Sequence, residues 1–426
     1  LKGLLGFYYL DAKAQTIFDV LLDTTGPLLG LPAGSGFGQF TSGDVRTDTW
    51  SVFGDFTFDF SDWLSVSAGG RYTRDNRQSY IFKQNRLRGA APIFGGIGVG
   101  LGAPITDFRG TATFNKFTPR GSLSIKPSED LLVYASYSQG FKGGGFDPRG
   151  SANITPNNNG IPGIQYEEIY DFFLFDPETV DSYELGLKGS AFDRGLTFAL
   201  TGFYADYKNV QVPGSVGVDA NGDGINEGFA GVTTNAGKAR FKGIEAEVTA
   251  RMARGFAGAG SNVSFTGTLG YIDAKYLEFI GNTGVDVAQF RAIQNTPKWT
   301  LSGTLGAVAP IGLGKLDGST TLSYRSKTHQ FETPSPFLDQ DGYALWDASI
   351  NYRFAGDRFS IGLHAKNLTD KRYKTSGYQF AAGNAVTGQP TITPTGNIVP
   401  SLGREGVVTA FYGNPRQIFA TFAARF

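Results

Sequence analysis

The stretch DANGDGINEG, residues 219–228, sets oxygen-bearing side chains at alternate positions. Asp219, Asn221 and Asp223, followed by Gly224, give the D-x-N-x-D-G opening of a calcium loop. A hard cation would take those three side chains, the Ile225 carbonyl and Glu227, while Gly224 makes the sharp turn. Ala230 stands where the full loop wants its closing glutamate. This half-motif suits a structural calcium ion that stiffens a loop, not a catalytic metal. A plain Asn/Gly turn is the competing reading.

Three further stretches carry residue types suited to binding. SQGFKGGGFDPRG (138–150) follows a strand-like segment, and its Phe141, Lys142, Phe146 and Arg149 could meet a ligand, since glycine lets backbone approach closely. The same glycines could serve only to shape the strand exit. GIQYEEIYDFFLFDPET (163–179) is unusually aromatic for a connection, with Tyr166, Tyr170, Phe172, Phe173 and Phe175. Such a cluster marks a binding surface or a packed lid, or it packs on its neighbours. SGYQFAAG (376–383) repeats the theme with Tyr378 and Phe380.

Catalytic chemistry finds no footing. The chain has no Cys and only two histidines, His329 and His364, far apart in sequence. GGIGVGLGA (95–103) imitates a dinucleotide fingerprint, but no helix follows and no βαβ unit surrounds it. The adjacent Glu167 and Glu168 stand in no recognisable catalytic motif. Lys+Arg and Asp+Glu balance at 38 each, which gives no reason to expect a nucleic-acid partner.

The elements that position these residues read as strands. TWSVFGDFTFDF places Trp50, Val52, Phe56, Phe58 and Phe60 on one face against Ser51, Asp55, Thr57 and Asp59. KGIEAEVTA, FSIGLHAKN and the closing QIFATFAARF alternate in the same way. Period two over ~10 residues is a strand between two different environments. No segment shows a helical period, and no apolar run approaches the ~18 residues of a membrane helix. Tight connections at 60–63, 126–130, 192–195 and 354–358 carry Asp/Gly/Pro/Ser turn chemistry. They alternate with long ones at about 12–46, 79–110, 142–178, 209–235, 276–296, 331–341 and 368–414. A soluble sandwich or propeller also alternates, but its strands run ~5–6 residues and its connections lack this asymmetry. The pattern predicts an all-β, antiparallel up-and-down transmembrane barrel with about 14 strands in this chain. Asp55, Asp59, Glu184, Lys188, Glu245, Glu247, Lys366 and Arg425 would then face the lumen, lining a pore or meeting protein inside it.

Several stretches also resemble one family. FTPRGSLSIKPSEDLLVYASYSQGFKGGGFDP (117–148), VDSYELGLKGSAFDRGLTFALTGFYADYKNVQV (180–212), TNAGKARFKGIEAEV (234–248), NLTDKRY (367–373) and YGNPRQIFATFAARF (412–426) are similar, in order, to the barrel of TonB-dependent outer-membrane receptors. The resemblance implies a barrel of about 22 strands filled by a plug. It also implies coupling to TonB–ExbB–ExbD through a TonB box ahead of that plug. Neither plug nor TonB box is recognisable in residues 1–426, which read throughout as barrel. The expectation is the C-terminal part of a receptor barrel, a complete smaller barrel being the alternative. The function implied is uptake of a scarce, large small-molecule or metal-chelate substrate through the bacterial outer membrane, in contact with its lipid and lipopolysaccharide. A ferric siderophore leads, with cobalamin, an oligosaccharide or an aromatic compound behind it. A passive porin-like channel and a non-transporting surface-binding barrel are the alternatives. No cofactor is required beyond the candidate calcium.

Overall fold

The structure is a computed structural model describing residues 1–426 except 22–25, 33, 89–97, 156–160, 219–227, 236, 282–284, 385, 401–407 and 426. Fourteen strands lie in sequence order in one antiparallel sheet. They are β1 (Lys2–Leu21), β2 (Phe37–Ser61), β3 (Leu64–Leu87), β4 (Thr106–Ser128), β5 (Leu131–Lys142), β6 (Glu178–Ala191) and β7 (Leu196–Lys208). The series continues with β8 (Gly237–Arg254), β9 (Asn262–Phe279), β10 (Trp299–Ile311), β11 (Gly314–Arg325), β12 (Tyr343–Arg353), β13 (Phe359–Lys366) and β14 (Gln417–Ala424). Each strand pairs with the next, and β1 and β14 are not paired with each other among the described residues.

Alternation sorts the side chains as expected. Val52, Phe58 and Phe60 on β2, Leu185 on β6 and Ile361 and Leu363 on β13 are large, apolar and exposed. Residues that would be liabilities in water are what a lipid-facing wall requires. Two aromatic rows bound this apolar band. Trp63, Phe192 and Phe354 lie at the tight turns, while Tyr72, Tyr183, Tyr204, Tyr271 and Trp299 lie toward the long connections. Rings with an apolar body and a polar edge favour the two membrane interfaces. On the opposite face Asp55 pairs with Arg120 at 3.1 Å, and Lys188 lies over the Tyr134 ring at 5.5 Å. His364 stacks on Phe419 on that same inward face, with Thr421 at 3.0 Å from its Nε2.

Two expectations need correction. Residues 12–46 and 79–110 read as loops, yet β1 runs on to Leu21, β2 starts at Phe37, β3 reaches Leu87 and β4 starts at Thr106. Above the aromatic row the outward positions turn polar (Asp44, Arg46, Asp48), so the two-faced contrast fades while backbone pairing continues. Cross-strand pairs sustain it, among them Arg46 to Asp11 at 2.9 Å and Gln15 to Asp44 at 2.9 Å. At ~3.3 Å per residue the 25 residues of β2 extend about 80 Å, far beyond a membrane span. β13 and β14 have 8 residues each, so the wall is tall on one side and low on the other.

The second correction is a helix, α1 (Tyr166–Phe173), where no helical period was read. Its apolar residues Tyr166, Ile169, Tyr170 and Phe173 do fall at helical spacing on one face. The Gln165 backbone N–H donates to the Glu168 carboxylate at 3.0 Å, satisfying an otherwise orphaned donor at the helix start. At eight residues the pattern is too short to stand out beside the strands.

Candidate ligand-facing mouth of the sheet

The connection after β5 does not stand away from the wall. It folds against the inward face of β2–β4, above the membrane band. Gly145–Phe146 pairs with Leu174–Phe175, bringing both ends of the connection together. A Cβ at Gly144 would collide with the Phe175 carbonyl oxygen and the Phe114 ring, so this glycine is required by close backbone approach. Phe146 and Phe173 are buried with Ile81 and Phe108, and the Phe108 and Phe173 rings meet edge to face at 5.1 Å. The Tyr166 and Tyr170 hydroxyls donate to the Arg109 and Thr111 carbonyls at 2.7 and 2.9 Å.

A polar clasp holds the other end of this connection. Lys83 of β3 is only 4% exposed, and its ammonium donates to the Arg149 carbonyl at 2.7 Å and to Ser151 Oγ at 2.6 Å. Burial pushes its pKa down to about 8, with Asp147 opposing the shift and Arg149 adding to it. Burial raises the Asp147 carboxyl, but the bidentate Arg149 guanidinium, at 3.0 and 2.7 Å, outweighs that and leaves it below the usual range. Thr233 Oγ1 donates to Asp147 at 2.8 Å, tying in the hairpin of Gln211–Val218 and Gly228–Asn235.

Beside the clasp lies a cleft of about 270 Å³, lined by Lys142, Glu178, Tyr207, Phe241, Tyr276 and Gln294 among others. The Tyr207 and Phe241 rings stand 5.0 Å apart, and Tyr276 meets Phe279 edge to face at 5.0 Å. Burial, with Glu332 and Glu178 nearby, pushes the Tyr276 phenol up to about 12. It therefore stays a neutral donor at any physiological pH. Gln294 donates to Glu332 at 2.6 Å. Rings, one lysine and amides in a concave site can hold a ligand. Among the described residues no group of three His, Cys, Asp or Glu side chains gathers as a metal site.

The residues singled out in the sequence divide clearly. Lys142 reaches the cleft, whereas Phe141, one position earlier in β5, falls on the outward face by strand alternation. Phe146 and Phe173 are enclosed in the core of the docked connection. Phe172 and Tyr170 flank that core and Arg149 serves the clasp. Tyr378 and Phe380 are exposed on and just beyond the hairpin of Lys374–Gln379 and Val408–Tyr412, with Tyr378 edge to face on Phe411. Asp219, Asn221, Asp223, Ile225 and Glu227 lie outside the described residues, as does Phe426. Sequence reading missed Tyr207, Phe241 and Tyr276. Each extends the inward stripe of its strand, the one signal available.

A tall antiparallel wall, apolar outward between two aromatic rows and polar inward, defines a transmembrane β-barrel protein. Residues 3–368 match the family described as TonB dependent receptor-like, beta-barrel, and the chain belongs to it. The pesticin receptor of Yersinia enterocolitica is 24% identical over 343 residues, covering 79% of this chain and 41% of that protein. The metal-pseudopaline receptor CntO of Pseudomonas aeruginosa is 26% identical over 207 residues, covering 48% of this chain and 25% of the relative. The chain thus spans less than half the length of these relatives. Among solved structures, the ferric yersiniabactin uptake receptor FyuA of Yersinia pestis shares the fold at a TM-score of 0.63 and 18% identity, over 91% of this chain and 47% of its own. The ferric-catecholate import receptor Fiu of K12 E. coli does so at 0.54 and 17%, over 91% and 50%.

Proposed function

We propose that this chain forms wall and mouth of a TonB-coupled receptor that captures a metal chelate, a ferric siderophore, and admits it across the outer membrane. The observation that carries this reading is the inward cleft of Tyr207, Phe241 and Tyr276 with Lys142 and Glu178 at its edge. The rings offer an apolar surface to a planar or conjugated part of a ligand, and the lysine meets its negative charge. The relatives, receptors for metal chelates among them, support the same substrate class. Tyr166, Phe172, Arg149, Tyr378 and Phe380 are outer contacts in this scheme. TonB with ExbB and ExbD supplies the energy through a region other than this barrel wall. Binding precedes passage, and no bond in the substrate is made or broken.

Uptake of radiolabelled iron by cells whose only ferric-siderophore receptor is the full-length protein tests this. Uptake is expected to depend on TonB, and Tyr276→Ala to weaken chelate binding about tenfold, ~1.4 kcal/mol. Uptake that persists at the same rate without TonB would point to a passive channel. Surface binding of another protein with no uptake of any chelate, cobalamin, oligosaccharide or aromatic compound would point to a non-transporting barrel.

A further inference from the structure

The outward face of β6–β9 carries a built feature that uptake does not use. Descending from the long connections, outward positions on β8 are Lys238, Arg240, Lys242, Ile244, Ala246 and Val248. Three cations thus sit in a row immediately above an apolar run. Their cross-strand partners sharpen the arrangement: Lys208 stands directly opposite Lys238, and Lys275 directly opposite Arg240. Like charges facing each other across a ladder are destabilising unless something negative joins them.

For the outer cations that partner is present. Lys208 pairs with Asp181 at 3.0 Å, Lys238 with Glu278 at 2.9 Å and Lys242 with Asp273 at 3.5 Å. Arg240 and Lys275 are different. Asp206 stands opposite Arg240 in register, yet among the described residues no carboxylate lies within 4.0 Å of either cation. The Arg240 Nε is buried without a hydrogen-bond partner.

Below this pair, past the Lys242–Asp273 ion pair that rims it, the surface is grooved. Tyr183, Leu185, Tyr204, Ile244 and Tyr271 line a hollow of about 610 Å³ whose floor is Gly202. The next outward positions down the same strands, Leu187, Leu200, Ala246, Val248 and Leu269, belong to a second hollow of about 960 Å³. It crosses to Gly267 and Gly303, which lie opposite each other on β9 and β10. The track therefore runs from an uncompensated cation pair, past the tyrosines of the interface row, into the apolar membrane band.

We propose that this face binds one phosphate-bearing anionic lipid from the leaflet on the long-connection side, its phosphate between Arg240 and Lys275 and an acyl chain in the grooves below. The proposal rests on the membrane-barrel reading. An anion at this point relieves the Arg240–Lys275 repulsion. Gly202 keeps the upper groove open, since a Cβ there would meet only carbonyl oxygens at 3.9 Å.

The test is native mass spectrometry of the full-length protein released from detergent in the presence of palmitoyl-oleoyl phosphatidylglycerol or phosphatidylcholine. Wild type is expected to retain one phosphatidylglycerol. Arg240→Gln with Lys275→Gln should lower that retention at least tenfold while leaving phosphatidylcholine unchanged. That variant removes a like-charge pair, so folding is not at risk from it. Gly202→Leu, whose Cβ meets no atom nearer than 3.9 Å and whose side chain extends into the groove, should lower phosphatidylglycerol retention with both cations intact. Equal retention by wild type and the double variant would overturn the proposal. So would retention of inorganic phosphate with no preference for the lipid. Insertion of the same protein into phosphatidylcholine bilayers separates the two failures: no insertion sinks the barrel reading, whereas insertion without lipid preference sinks only the lipid site.

Discussion

Lys83 makes the docking of the 143–155 connection dependent on pH, in a direction opposite to intuition. Its pKa falls from 10.5 to about 8 because the docked connection strips water from the ammonium. At ~1.36 kcal/mol per unit, keeping that charge buried at pH 7 costs about 3 kcal/mol. The docked state binds fewer protons than the undocked state between pH 8 and 10.5, so docking strengthens as pH rises through that window and is weakest below it. From pH 7 to pH 9 the gain is about tenfold in the docking equilibrium, ~1.4 kcal/mol. Other groups of the docked connection do not compete. In the clasp Arg149 holds Asp147 ionised and Asp147 raises Arg149 further, and on α1 burial raises Tyr170 above its usual value. The perturbation is Lys83→Met, which removes the buried charge together with two hydrogen bonds of ~1.5–3 kcal/mol each. These terms largely offset, so the variant is expected to dock within ~3 kcal/mol of wild type at pH 7 but to lose the pH response. Hydrogen exchange of peptides covering 145–155 at pH 7 and 9, normalised to the unfolded rates, measures both. Wild-type protection that stays flat or falls toward pH 9, or a rise that persists in Lys83→Met, would refute the buried-ammonium argument.

Two further predictions concern the same region. Phe173→Ala removes a fully buried ring from between Phe108 and the helix face, costing ~3–5 kcal/mol of docking and raising proteolysis of the 143–177 connection, while the thermal transition of the sheet stays unchanged. Saturable calcium binding by the protein, read by isothermal calorimetry, is expected to disappear in Asp223→Ala. Heat that is equal in wild type and variant would assign 219–228 to the plain Asn/Gly turn.

The fold was legible because a membrane wall writes its two environments into every second residue, as in Val52, Phe56, Phe58 and Phe60 against Ser51, Asp55 and Asp59. Above the membrane that contrast ends, and with it the legibility of the upper halves of β1–β4, whose pairing rests on backbone and on pairs such as Arg46–Asp11. Lys83 gives no sign in sequence of being buried, because what buries it is the landing of Arg149 and Ser151, 66 and 68 residues away. The SQGFKGGGFDPRG stretch reads as one binding hinge, yet Phe141 and Lys142 part to opposite faces, and its glycines are explained at Gly144 by close packing.

Register, rather than composition, hides the ring that stands behind the cleft. Simple alternation from Tyr276 inward would send Phe279 outward to lipid or water. Between Lys238 and Ala239 the pairing slips, so that Ala239 faces Tyr276 while Lys238 faces Glu278, leaving Leu277 as one extra residue on β9. Such a bulge resets the phase of the strand beyond it. Phe279 therefore returns to the inward side, 5.0 Å from Tyr276, and Leu277 takes the exposed position. One inserted residue thus backs Tyr276 with a second ring, and a periodicity read from sequence assigns that ring to the wrong side of the wall.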